Sequence, residues 1–294
     1  MAFDRASQAK LSDDESVSLK QLLEKGVKLP LQPRVLEELQ QFVQSGETNL
    51  RALSRIISAD PGIGAMLFKI VRSAAYHRYQ PFSSIENILQ ALGIKQTCNL
   101  LQAIALASAL PSEHNQKAVE AFWQRSQAIA ELAMLIADAR LPVCNISPDQ
   151  AYLAGVFHDC GVPVLMQRFP TYCKTMHLDE PGCWTNIAEE DARFNADHCV
   201  VGYLVGRHWK LPDFICDAIR FHHDINHLEN HAARTMVAIL QLAIHIHCQD
   251  QDIVNVEWAS ARKGVLDELG VHEDELPDLV DLVLDHYNCT AQPF

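Results

Sequence analysis

Basic residues are in the minority: 24 Lys and Arg stand against 37 Asp and Glu, a formal net charge of -13. This balance gives no bulk attraction to a polyphosphate backbone, which argues against nucleic acid as a partner and leaves only a local basic patch as a route to one. Long apolar runs are also missing. The longest, LLQAIALASALP at residues 100 to 111, carries Gln102 and Ser108 and falls short of the roughly 20 residues that span a bilayer, so it reads as a buried helix. The opening MAFDRASQAKLSDDES has no apolar stretch to serve as a signal peptide. No two cysteines are spaced CxxC. The nine, at 98, 144, 160, 173, 183, 199, 216, 248 and 289, are scattered and odd in number, which fits neither a disulfide framework nor a zinc ribbon. A reducing, cytoplasmic setting away from the membrane is the expectation. Alternating strand patterns, internal repeats and low-complexity tracts are lacking as well.

What is present is helix after helix. At 294 residues, 48% of them hydrophobic, with a mean hydropathy of -0.04, the chain exceeds one average domain of roughly 100 to 200 residues and has ample material for a core. LSDDESVSLKQLLEKGVKLP offers Ser12 as an N-cap with Glu15 completing a capping box, and Gly26 with Pro30 as stops. QPRVLEELQQFVQSG places Val35, Leu36, Leu39, Phe42 and Val43 at helical spacing between Pro33 and Gly46. In TNLRALSRIISADPG, Thr48 or Asn49 caps a third helix that Pro61 stops. Three more helices are predicted between residues 63 and 110, broken at RYQP and near Gly93, with Ser83 and Glu86 as another capping box. SEHNQ, at 112 to 116, is a polar hinge and marks a subdomain boundary. Beyond it AVEAFWQRSQAIAELAMLIADARL forms one long helix before a turn-rich PVCNISPDQ. AYLAGVFHDCGVPVLMQRFP then reads as an apolar helix with a histidine and an aspartate inside it, bent at Pro163. The fold expected is all-α.

The pair His158 and Asp159 is a weak signal as a dipeptide, since His223 and Asp224 repeat it. Its apolar setting gives it weight, because ionisable side chains are costly to bury unless hydrogen-bonded, paired or bound to metal. His198 opens an apolar helix, and AIRFHHD supplies His222 and His223. Imidazoles and carboxylates gathered from several helices can hold a divalent ion and lower the pKa of its water, making a nucleophile for phosphate esters. The plainer expectation is that His158 is hydrogen-bonded to Asp159 or a facing helix in a satisfied core network. Of His222 and His223, neighbours about 100° apart on a helix, one is expected in the pocket and the other at the surface. His227 and His231, in a polar segment, are not expected to be ligands; His245 and His247 read as packing or surface residues and Cys160 as an inert buried thiol.

Several ordered blocks, LPLQPRVLEELQQF, ISADPGIGAMLFKIVRSAAY, FSSIENILQALGIKQT, FWQRSQAIA, LAGVFHDCGVPVL and DHCVVGYLVGRHWKLPDFICDAIRFHH, together resemble the HDOD domain, the HD-related output domain of bacterial signalling proteins. The resemblance runs from about residue 29 to about residue 246. It implies a two-lobed helical bundle whose second lobe is related to HD-type metal phosphohydrolases, including the HD-GYP cyclic di-GMP phosphodiesterases. On this basis residues 1–28 form a helical leader, 29–111 a first helical lobe, 112–250 an HD-like lobe, and 251–294 a C-terminal helical extension. Those flanks are too short for a receiver, GGDEF or sensory domain.

Active HD enzymes have an upstream histidine, the His-Asp pair and a later aspartate. The resemblance puts the upstream histidine near Arg125 and the later aspartate near Ile244, so a positive charge stands toward a cation site and a charged ligand is lost. HDCGV replaces HDIGK, with Val162 in place of the lysine, and no Gly-Tyr-Pro segment follows FHHDINHLEN. The favoured reading is therefore a catalytically inactive module, without a cofactor, relaying signals through a protein partner or a small ligand in the HD cavity. The alternative is a metal-dependent phosphohydrolase holding Mn, Fe or Zn through His158, Asp159, His198, His222 and His223. The sequence names neither partner, ligand nor oligomeric state.

Overall fold

Short polar side chains start many of the helices. Asn49, Asp60, Ser84, Asn186, Asp197 and Asn230 each accept a hydrogen bond from a first-turn backbone N–H, satisfying donors that have no partner within the helix. In the computed structural model, which describes residues 26–73, 75–76, 82–110, 115–178, 180 and 182–291, the helices are α1 (Arg34–Gln44), α2 (Leu50–Ser58), α3 (Pro61–Val71), α4 (Ile85–Leu92), α5 (Ile94–Ala109), α6 (Gln116–Cys144), α7 (Pro148–Phe157), α8 (Gly161–Arg168), α9 (Tyr172–Thr175), α10 (Ile187–Phe194), α11 (His198–His208), α12 (Asp213–Phe221), α13 (His231–Asp250), α14 (Trp258–Leu269) and α15 (Leu276–Ala291), with a 3-10 turn at Ile225–His227. No strand occurs among the described residues, and none of their helices is long and apolar enough to cross a membrane. The Ser12 and Glu15 capping box, the RYQP break and residues 112–114 of the hinge lie outside them.

Local expectations are corrected in four places. The cap of α4 is Ser84 rather than Ser83, whose hydroxyl bonds the Asn87 side chain instead. Pro61 does not merely stop α2; it opens α3 at the first helical position, where a missing N–H costs nothing. The long helix α6 runs through Pro142 to Cys144, and Asn145 in the left-handed region, φ 51°, ends it. The His-Asp strip is not one helix: α7 ends at Phe157, residues 158 to 160 form a turn, and α8 begins at Gly161 with Pro163 in its first turn.

α6 packs against α7, α13 and α15, and α7 also receives α5 on its flank. α1 to α5 pack among themselves, and α5 on α7 is their main bridge to the remaining helices. A buried hydrogen bond from Asn99 Nδ2 to Asp149 Oδ2, 2.6 Å, ties that bridge. A second tie comes from the start of the described chain, where the buried Trp209 indole N–H donates to the Pro30 carbonyl at 2.9 Å while its ring meets Phe157 edge-on. Burying such rings stabilises by roughly 1.5–3 kcal/mol each.

Two glycines let the helices around residues 158 to 160 come close. A Cβ on Gly155 of α7 would stand 2.5 Å from Ala130 Cα in α6, and one on Gly161 would stand 2.1 Å from the His198 carbonyl oxygen and 2.8 Å from the Gly202 nitrogen. The turn carrying His158 and Asp159 is thus pressed against α6 on one side and the first turn of α11 on the other.

Gly161→Ala is therefore expected to lose at least ~1–3 kcal/mol of folding free energy, the cost of overpacking a rigid contact. Gly64→Ala, whose added Cβ has only Ile85 Cδ1 at 3.8 Å, is expected to gain up to ~1 kcal/mol from helix propensity. Urea unfolding midpoints of the two variants check both signs.

Candidate metal centre

The end of α7, the start of α11 and the end of α12 meet at one carboxylate. Asp159 is 3% exposed, and three imidazoles face it: His158 Nε2 lies 3.5 Å from Oδ2, while His198 Nε2 and His222 Nε2 lie 3.4 and 3.2 Å from Oδ1. His223 joins through His198, the two Nε2 atoms being 3.0 Å apart. All five residues singled out in the sequence are brought together. The expectation that one of His222 and His223 turns to the surface is corrected, since both line the same cavity; helix α12 has ended at Phe221, and His222 occupies its C-cap.

Each of the four rings is tied on its outer edge. Nδ1 of His158 meets the Gly155 carbonyl at 2.6 Å and Nδ1 of His222 the Ile219 carbonyl at 2.9 Å. Carbonyls only accept, so both protons sit on Nδ1. Nδ1 of His198 lies 2.6 Å from Glu190 Oε2, which also accepts the His198 backbone N–H at 3.0 Å, and Glu190 Oε1 accepts from the Tyr172 hydroxyl. Nδ1 of His223 lies 2.8 and 2.9 Å from the two Glu257 oxygens. With every Nδ1 donating outward, the Nε2 atoms point inward, the orientation that outer carboxylates and carbonyls impose on metal-binding histidines. Burial would lower His198 and His222, but Cys199 and Asp159 outweigh it, raising His198 well above the usual imidazole range and His222 to about 10, so without an ion these two rings are protonated.

The satisfied core network expected around His158 is not what forms. Nε2 of His158 and of His222 are buried without a hydrogen bond, at ion-pair distance from Asp159 but outside hydrogen-bonding geometry. Burial pushes the His158 imidazole down to about 4 against the pull of Asp159, so it is neutral at pH 7. Burial would raise the Asp159 carboxyl, but the surrounding imidazoles outweigh it and hold Asp159 well below the usual carboxylate range. Buried, inward-facing Nε2 atoms around an ionised carboxylate form a donor set that fits a divalent ion such as Zn, Fe or Mn, which would displace the protons on His198 and His222. His158, Asp159, His198, His222 and His223 would hold it, and a bound ion would supply Lewis acidity at the floor of the cavity.

That cavity has a volume of about 270 Å³ and is lined by Asp159, His222, His223, Trp184, Ile244 and Glu257, among others. Ile244 thus stands at the wall. The Arg125 guanidinium lies 4.4 Å from the Trp184 ring centroid; burial pushes it down, and the Asp159 charge pulls it back up. Val162 is buried in the core. Cys160 is fully buried, with its thiol pushed well above its ordinary value by burial and by Asp159, as an inert thiol should be. His231 pairs with Glu268 at the surface, His245 stacks on Trp258 and His247 packs near Trp184; none reaches the centre.

Four members of the site were not foreseen. Glu190, Glu257 and Tyr172 stand in no motif that marks them in the sequence. Cys199 was visible beside His198, and its Sγ lies 3.4 Å from His198 Nε2 and 3.9 Å from His222 Nδ1.

The two orienting carboxylates differ in burial, the Glu190 side chain being 0% and the Glu257 side chain 49% exposed. Glu190→Ala is expected to destabilise by about 3–5 kcal/mol, because it strands a buried imidazole and a phenol. Glu257→Ala is expected to cost about 0.2–1 kcal/mol. Chemical denaturation of both variants measures the contrast; equal losses would contradict the burial difference.

Comparison with known proteins places these features. A curated protein from Treponema pallidum (strain Nichols), described only as uncharacterized, is 23% identical over 202 residues, covering 68% of this chain and 38% of that protein. The chain therefore spans little more than a third of the relative it matches. Among solved structures, one provisionally described as a metal-dependent phosphohydrolase from Shewanella amazonensis SB2B superposes with a TM-score of 0.69 at 18% identity, covering 93% of this chain and 97% of that one. Another, provisionally described as a signal transduction protein from Marinobacter aquaeolei VT8, gives 0.62 at 19% identity, covering 98% and 69%. These likenesses establish the helical fold. The sequence profile of the HDOD domain matches residues 29–225, two thirds of the chain, and the protein belongs to the HDOD domain family.

Proposed function

We propose that this HDOD protein is a signalling module that works by binding, through its HD cavity or through a protein partner, and does not hydrolyse phosphate esters. The observation that carries the reading is the wall of the cavity. Ile244 lines it where a second carboxylate would stand, and Arg125 brings a cation close to Asp159. A positive charge beside the carboxylate competes with a second cation there, and an aliphatic side chain supplies no ligand. Phosphoester cleavage at such a site needs a metal-bound nucleophile together with stabilisation of the charge that develops on phosphorus oxygens. Only part of that equipment remains. The description of the Marinobacter structure as a signalling protein agrees with the same reading.

A phosphohydrolase is the second reading, and the inward-facing Nε2 atoms of His158, His198, His222 and His223 favour it.

Turnover of bis-(p-nitrophenyl) phosphate and of cyclic dinucleotides with added Mn²⁺, Fe²⁺ or Zn²⁺ separates the two. The expected rate equals the protein-free background with each metal. Turnover that disappears in Asp159→Ala would establish the hydrolase instead.

A further inference from the structure

On the Oδ1 side of Asp159 the donors are more crowded than anywhere else among the described residues. One donor atom from each of His198, Cys199, His222 and His223 lies within 4.8 Å of every other. Ligands about 2.0–2.3 Å from a tetrahedral ion stand roughly 3.3–3.8 Å from one another. The separation of 3.4 Å from His198 Nε2 to Cys199 Sγ falls within that range and the 3.0 Å from His198 Nε2 to His223 Nε2 just below it, so small side-chain movements suffice.

The contact between His198 and His223 is itself informative. Each ring gives its Nδ1 proton to a carboxylate, Glu190 or Glu257. In their neutral forms the two rings then present bare lone pairs to each other at 3.0 Å, which is repulsive unless something positive sits between or beside them. The buried His222 Nε2, 1% exposed and without a hydrogen bond, faces the same space 3.2 Å from Asp159 Oδ1 and adds a third inward nitrogen. His158 stands apart from this group, facing Oδ2.

Resting on the reading that the cavity binds rather than hydrolyses, we propose that its ligand is a single borderline-soft divalent ion, zinc or ferrous iron, held by His198, Cys199, His222 and His223 with Asp159 beside it. Cys199 sets the selectivity. Thiolate ligands favour Zn²⁺ and Fe²⁺ over the hard ions Mg²⁺ and Mn²⁺, and three imidazoles with one thiolate form a closed structural type of site rather than an open catalytic one. Glu190 and Glu257 act as positioning residues, holding two of the rings with Nε2 inward.

The test uses the full chain, stripped with a chelator and titrated with Zn²⁺ against a chromophoric competitor, with Co²⁺ as a spectroscopic substitute. One equivalent of zinc is expected, bound more tightly than Mn²⁺, and the cobalt form is expected to show a sulfur-to-metal charge-transfer band. Cys199→Ser should abolish the band and weaken zinc; Glu257→Gln should weaken zinc by about 10–100-fold; Cys98→Ser, remote from the site, should change neither. Thermal melts in the stripped state show whether Cys199→Ser is folded, and the half-buried His223→Gln serves as a second ligand variant. Zinc binding that lacks the sulfur band, or that survives both variants, overturns the donor set. Failure to bind any metal overturns the proposal, with a proton filling the gap between the rings. Neither failure touches the hydrolysis assay, whereas metal-dependent turnover lost in Asp159→Ala would overturn the binding reading and leave the metal ligands standing.

Discussion

The structure around residue 159 is organised by the cost of burying one carboxylate. An ionised side chain in a protein interior needs compensating partners, because desolvation alone costs several kcal/mol even after relaxation. Asp159 obtains them from imidazoles on three helix ends, and each imidazole in turn needs a partner for its remaining nitrogen. The requirement spreads outward: to Glu190 and through it to Tyr172, to Glu257 across the cavity mouth, and to the carbonyls of Gly155 and Ile219. It also constrains the backbone. α7 has to stop at Phe157 so that consecutive side chains can turn toward the centre, and the glycines at 155 and 161 let α6 and α11 close around that turn.

The all-helical fold was legible because helical periodicity, caps and stops recur along the chain, and the family resemblance rested on several blocks in order. Boundaries were harder where two signals competed. Pro142 reads as a stop, and it removes the hydrogen bond its N–H would give to the carbonyl of Asp138, yet the helix continues two residues past it to Cys144. The His-Asp strip reads as continuous helix because the residues around the pair are apolar, and apolarity reports burial without reporting direction. The break at 158 to 160 follows from a close approach to residues some forty positions downstream, which local sequence does not encode.

The site shows the same division. Histidines stand out in apolar helices, so His158, His198 and His222 could be picked from spacing and surroundings. The acidic residues that orient two of the rings could not. Glu190 sits in an AEEDARF segment that looks like a solvated helix, and it is buried because α10 lays that one position against the start of α11. Cys199 was discounted among nine scattered cysteines, since nothing in a spacing rule marks a thiol that works with imidazoles from another helix.

The four rings are not anchored in the same way. His158 and His222 are held by main-chain carbonyls, which no point substitution removes; His198 and His223 depend on glutamate side chains, which one nucleotide change can replace. Under mutational drift the constellation would not fade evenly. Two imidazoles keep their bearing as long as the backbone keeps its path, while the other two lose theirs as soon as an outer glutamate is exchanged. In this chain, then, the bearing of His198 and His223 is written at residues 190 and 257 rather than in the histidines themselves.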